Sequence, residues 1–259
     1  MREALLAEVL KLRRSRLPWL TAAAFAIAAA VCGLFMFILQ DTGRARALGL
    51  LGDKAQLSGA TADWPGYLAL LAQATAVGGL LILGTLTTWL FGREFSDRTV
   101  KDLLALPTSR SAIVAAKFVV AAGWSLLLAL WTTVLGLLAG MLLELPGAST
   151  AVLAAGAARM VITALLTYAL TTPFALVASA GRGYLPAVGA IFAALFSSQV
   201  VAALGYGASF PYSVPGLYAG LAGPGQDAPG PLGHLLVLTV GLTGGAATMA
   251  WWRRADHDR

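Results

Sequence analysis

The chain has 259 residues, 58% hydrophobic and only 12% charged, with a mean hydropathy of +0.78. A soluble domain carries about a quarter charged residues, so a chain this poor in charge cannot cover a water-facing surface, and its solvent is lipid. The net charge of +6 would point to nucleic acid in a soluble protein; here the basic residues follow membrane orientation, which removes nucleic acid as a partner.

In chain order, residues 1–17 come first. Leu5, Val9 and Leu12 fall at helical spacing beside Leu6 and Leu10, with basic residues opposite. The pattern predicts a helix lying in the headgroup layer; the plainer alternative is a positive flank that sets topology. The basic-then-apolar start is not read as a cleaved signal, because the run to Leu39 is too long and lacks a small-x-small site. Val31 is also too bulky for a lipoprotein site at Cys32, which as a lone cysteine forms neither a disulfide nor a thiolate cluster within one chain.

Six apolar stretches can each cover about 30 Å of hydrocarbon as a helix. They are Pro18–Leu39, Tyr67–Phe91, Ser111–Leu143, Val152–Ala180, Tyr184–Leu204 and Leu232–Trp252. Barrel strands would alternate in polarity over about 10 residues, which these do not. The fold class expected is an all-α polytopic membrane protein, a single transmembrane domain over 1–259. The connection from Gln40 to Gly66 carries Asp41, Arg44, Arg46, Asp53, Lys54 and Asp63 and reads as a solvated loop with room for a small helix. Segment 205–231 is rich in glycine and proline yet retains Phe210, Tyr212, Leu217 and Tyr218, which fits a short re-entrant or interfacial structure.

Lysine and arginine set the orientation. With the N-terminus in the cytoplasm, the inner side holds Arg2, Lys11, Arg13, Arg14, Arg16, Arg93, Arg98, Lys101, Arg110, Lys117, Arg182, Arg253, Arg254 and Arg259. The first outer loop holds Arg44, Arg46 and Lys54, and Arg159 lies in a span. Six spans with both termini cytoplasmic follow.

The charged insert 92–110, GREFSDRTVKDLLALPTSR, lies between the second and third spans. Ser96 or Asp97 can cap a helix beginning near Arg98. Val100, Leu103 and Leu104 then form one apolar stripe, with Leu106 close by. Pro107 ends the element, and Thr108 or Ser109 starts the next helix. The expectation is a short amphipathic helix parallel to the membrane; the alternative is a decorated loop resting on headgroups.

Glu94, the run Thr99-Val-Lys-Asp-Leu103-Leu104-Ala-Leu-Pro107-Thr-Ser-Arg110, and Lys117 together resemble the coupling-helix signature of type-2 ABC transporter permeases. The resemblance covers essentially the whole chain, from the basic N-terminal helix through six spans to the irregular segment before the sixth. Arg98 departs from it, since the family often has glycine before the threonine. The resemblance implies an exporter subunit in the plasma membrane of a prokaryote, working as a dimer with a second permease subunit. Its inner loop would dock, through Glu94, Asp97, Thr99, Val100, Leu103, Leu104, Pro107 and Arg110, into a separate ATPase. Glu94 would orient the loop, and Val100, Leu103 and Leu104 would fill the partner's cleft. The chain has no phosphate loop, so no cofactor is expected on it, and ATP and Mg would belong to the partner subunit.

Among single residues, Arg159 in the fourth span reads either as snorkelling toward Glu144 or as part of a cavity or subunit interface. Lys117 is expected to snorkel at the inner boundary, and Trp89, Trp251 and Trp252 to anchor there. The span threonines are expected to bond back to the preceding turn or across helices. His234 and His257 have no clustered ligands around them, so no metal site is expected. Clustered catalytic side chains of an intramembrane enzyme and the mid-span carboxylates of a secondary transporter are missing. A non-transporting ABC subunit that passes force across the membrane remains an alternative.

Overall fold

The computed structural model describes residues 1–50, 61–105, 107–221, 223 and 229–254. The expectations for Asp53, Lys54, Leu106, His257 and Arg259 lie outside these residues, as do the Leu104 side chain and part of the 205–231 segment.

Among the described residues the regular structure is all helical, with no strand. Helix α1 (Arg2–Arg14) leads into α2 (Leu17–Gln40), whose start is set by Pro18 in the first turn. A short α3 (Thr42–Ala47) follows, capped by Asp41 accepting from the Arg44 N–H, so the first connection is not wholly irregular. Helix α4 (Trp64–Ser96) is capped by Asp63, and α6 (Arg110–Leu142) by Ser109 accepting from Ala112. Between them lies α5 (Val100–Leu104). Helices α7 (Thr150–Ala169), α8 (Thr172–Ala180), α9 (Leu185–Ala203), α10 (Val214–Tyr218) and α11 (Pro231–Arg254) complete the order. Taking α7 and α8 as one span, six helices are long and apolar enough to cross a bilayer, and the protein is an all-α polytopic membrane protein.

Helix α4 sits centrally, packed against α2, α6, α7, α8 and α9. The fourth apolar stretch is not one continuous helix. Pro173 removes a donor and crowds the carbonyl of Ala169, so the helix breaks at Leu170–Thr171. The freed carbonyl is satisfied locally: the Thr172 hydroxyl lies 3.0 Å from the Ala169 oxygen and 2.8 Å from that of Gly241 on α11. Thr87 and Thr171 hydroxyls meet across α4 at 3.0 Å. Thr75, Thr132 and Thr133 each donate to the carbonyl four residues earlier.

Helix α11 approaches this kink closely at Gly244, where an added Cβ would sit 2.7 Å from the Pro173 backbone nitrogen. Gly245 faces open space. Gly244→Ala should therefore cost about 1–3 kcal/mol by overpacking, despite gaining about 1 kcal/mol of helix propensity. Gly245→Ala should leave the protein equally or slightly more stable. Paired thermal melts in detergent read the difference.

The segment before α11 is built of short turns, Gly207–Ser209 and Pro211–Ser213, followed by α10. It packs against α4, α7, α9 and α11, and Val214 and Ala219 are fully buried. The Ser213 hydroxyl donates to the Ser198 carbonyl. At the opposite end of the bundle, α1, the 97–109 connection, the 181–184 turn and the α11 C-terminus gather. Lys11 reaches Glu94 there, Arg110 reaches the Trp252 carbonyl, and Gly92 lies against Gly183 and Tyr184. This is the charged end.

Candidate functional site

The last turn of α4 carries Arg93 and Glu94. It closes with the Arg98 N–H donating to the Phe95 carbonyl (3.2 Å) and the Thr99 N–H to that of Glu94 (2.9 Å). Arg98 holds φ +59°. This is a Schellman closure, whose left-handed position is most often glycine, and it accounts for the glycine preferred before the threonine in the signature. Asp97 therefore ends α4 instead of capping α5; its carboxylate pairs outward with Arg93 at 3.2 Å. Helix α5 starts two residues later than the capping pattern predicts.

The closure turns the chain so that Thr99 returns to α4. The Thr99 hydroxyl donates to Glu94 Oε2 at 2.8 Å. Glu94 Oε1 receives Lys11 of α1 at 2.7 Å and Lys117 of α6 at 3.0 Å. Lys117 also donates to Glu8 Oε2 at 3.0 Å and to the Leu90 carbonyl at 2.7 Å. Glu8 Oε1 completes the ring by pairing with Lys11 at 2.9 Å. Two carboxylates and two ammonium groups thus form a neutral, closed cluster.

Lys117 is 0% exposed, Glu8 2% and Glu94 3%. Charges this buried persist only when paired and hydrogen-bonded. Lys117 uses all three of its donors on two carboxylates and one carbonyl. Its expected snorkelling is thus corrected: buried anions already lie within its reach, so the ammonium has no need of water. Lys11 is partly exposed. Burial disfavours its charged form, but Glu8 and then Glu94 more than compensate, and its pKa stands above the ordinary lysine value.

An aromatic layer seals the cluster from the bundle interior. Phe91 and Phe118 pack with centroids 4.8 Å apart, and Phe95 meets Trp252 edge-on at 5.7 Å. Trp252 is fully buried and its Nε1 donates to Ser179 at 2.9 Å. It is a core residue and not a boundary anchor, because its one polar atom is satisfied inside the protein. Trp89 instead lies under the Arg93 guanidinium.

Val100 is buried, and Leu103 partly so, against the same core that holds Leu90, Phe91 and Trp252. Val100 and part of Leu103 therefore pack against their own bundle, which leaves the partly exposed side of Leu103 for any partner's cleft. An apolar stripe beside an apolar core buries itself there first. Lys101, Asp102, Ala105 and Pro107 form the exposed side. Arg110 fixes the exit of the connection by donating to the Trp252 carbonyl at 3.3 Å.

The structure thus gathers Glu94 and Thr99 into one cluster and places Val100 and Leu103 behind it. It leaves Asp97 and Pro107 at the surface and keeps Arg159 away on α7. Arg159 is exposed, and the described residues include no ion pair between it and Glu144. Among the described residues no group of acidic, histidine or cysteine side chains could hold a metal ion. Sequence reasoning missed Glu8 and the role of Lys117. The signal was present: Glu8 lies midway between Ala4 and Leu12, all three on the buried stripe of α1.

Six bilayer-length helices, with a short helix tied to two of them through buried charge, define a polytopic membrane protein. A family model for ABC-2 family transporter proteins matches residues 4–198, and the chain belongs to that family as the membrane-spanning subunit of an ABC transporter. It is similar to the bacitracin transport permease protein BCRB of Bacillus licheniformis. The two are 31% identical over 181 residues, 69% of this chain and 85% of that protein.

Proposed function

We propose that this chain is the permease of an ATP-driven exporter in the cytoplasmic membrane of a prokaryote, with its charged end in the cytoplasm. The exposed side of α5 docks into a separate nucleotide-binding subunit, which carries ATP and Mg. The buried cluster passes the motion of that docked helix to α4, α6 and α1 together. Two span bundles, from two copies or from this chain and a similar one, enclose the route. The substrate is hydrophobic or amphipathic, and similarity to a bacitracin permease favours a peptide antibiotic. Arg159 belongs to this reading as a cation at a bundle interface. It lies nine residues into α7, about 13 Å along the axis, where a lipid-facing charge costs about 2.5–3.5 kcal/mol and a hydrated route would relieve it.

The observation that carries the proposal is the strap from Glu94 to Thr99. It makes a helix of only five residues a rigid extension of a 33-residue span. A short helix on a slack loop could not transmit force. In the opposite half of the membrane, a cavity of about 610 Å³ opens between α4, α9 and the segment before α11, with Ser198, Gln199 and Tyr212 in its lining. Its mixed polarity suits release of an amphipathic molecule.

The test is association. Ala105→Trp adds bulk to the exposed side of α5 without touching the cluster. It should abolish co-purification of a phosphate-loop ATPase from native membranes while the permease still inserts and melts normally. Undiminished co-purification and transport would remove this face of α5 as the docking surface.

A further inference from the structure

Helix α1 is gripped by charge on one side only. On the adjoining face, an apolar groove of about 710 Å³ runs between α1, the start of α2 and α6. That volume lies within the about 300–1,000 Å³ of small-molecule sites. Its walls include Leu12 of α1, Trp19 of α2 and Gly123 and Trp124 of α6, with Leu127 at its far end. The Trp124 Nε1 already donates to Thr21 at 3.0 Å, so the ring presents hydrocarbon to the groove. Arg13 is the one charged residue of the lining, and Arg14 and Arg16 are exposed beside it.

We propose that the groove holds one acyl chain of an anionic phospholipid, its phosphate on Arg13, from the leaflet at the charged end. Three features select this occupant. First, the groove follows α6 from Val119 to Leu127, about 12 Å of rise, which approaches half of the about 30 Å hydrocarbon core. One leaflet's chain fits that depth. Second, the cation stands at the end where headgroups lie, and basic pockets between spans on the cytoplasmic side suit anionic headgroups. Third, Gly123 is exposed and an added Cβ there would meet nothing within 4 Å, so the groove lies open to a chain entering from the surrounding lipid. The lipid would brace α1 against α6 on the face next to Glu8, with Leu12 shared between the buried stripe and the groove, so that charge and hydrocarbon hold the same helix along adjoining faces. The choice of leaflet rests on the sidedness proposed above; binding itself does not.

Native mass spectrometry of the full chain in detergent, titrated with phosphatidylglycerol and with phosphatidylcholine of the same chains, tests this without any ATPase. Phosphatidylglycerol should be retained in preference. Arg13→Gln should weaken its retention about tenfold, the scale of one charge-assisted hydrogen bond, and bring the two lipids level. Gly123→Leu should fill the groove, remove the retained lipid of either headgroup and leave the melting temperature of lipid-free protein equal or slightly higher, since glycine is the poorer helix former. Equal retention of both lipids by the unmodified chain, or full phosphatidylglycerol retention in Gly123→Leu, overturns the proposal. So does loss of a dimer in Gly123→Leu with lipid still bound, which would make the groove a contact between copies. Failure of ATPase docking with these lipid results intact would bear on the proposed function alone.

Discussion

Lys117→Met should be the most damaging single substitution in the chain. It removes the centre of the cluster and leaves Glu8 and Glu94, both at least 97% buried, sharing one partly exposed Lys11. Breaking a buried ion pair by deleting one partner costs about 3–5 kcal/mol, against a net stability of about 5–15 kcal/mol for a folded protein. The loss should appear as a large drop in melting temperature and in yield from the membrane. Neutralising a carboxylate as well distinguishes charge imbalance from lost packing. Glu8→Gln added to Lys117→Met should recover part of the loss, so that the double variant costs less than the two singles together. Strict additivity would mean that the two residues do not act as one unit.

Glu94→Gln should have the second largest effect, and on coupling more than on folding. It keeps the shape of the side chain but removes the charge that meets Lys11, Lys117 and Thr99 at 2.7, 3.0 and 2.8 Å. Hydrogen bonds to charged groups contribute about 1.5–3 kcal/mol each, and the substitution weakens three at once. Thr99→Val isolates the strap alone, since it deletes one donor and leaves the ion pairs intact. Both variants should still bind the nucleotide-binding subunit through the exposed side of α5. In reconstituted vesicles, both should hydrolyse ATP with less substrate moved per ATP, Glu94→Gln more severely. Wild-type transport per ATP in Thr99→Val would show that force does not pass through the strap.

Hydropathy made the architecture legible, because an apolar run of about 20 residues has few other places to go. Each of the six spans falls within a few residues of its expected bounds. The break at Leu170–Thr171 was signalled by Pro173 within the apolar run, but hydropathy alone treats that run as one continuous span. In the 92–110 insert, the helix, its stop before Pro107 and the Ser109 cap were readable from local rules. The facing of α5 was not. A stripe of Val100 and Leu103 is equally suited to a partner or to its own core, and tertiary position decides between them. Likewise Glu8, Lys11, Glu94 and Lys117 are up to 109 residues apart in sequence, and no local pattern announces that four such charges meet. The one available sign was a carboxylate on the apolar stripe of α1. Arg98 shows the reverse case: its departure from glycine marks the left-handed position that shapes the whole turn.

The most direct measurement is the accessibility of a cysteine placed at Ala105, with the buried Cys32 as silent background. A membrane-impermeant maleimide should leave Ala105→Cys unlabelled in intact cells, label it once the membrane is opened, and fail again when the nucleotide-binding subunit is bound. Labelling from outside intact cells would put α5 on the wrong side of the membrane for any nucleotide-driven partner and contradict the account.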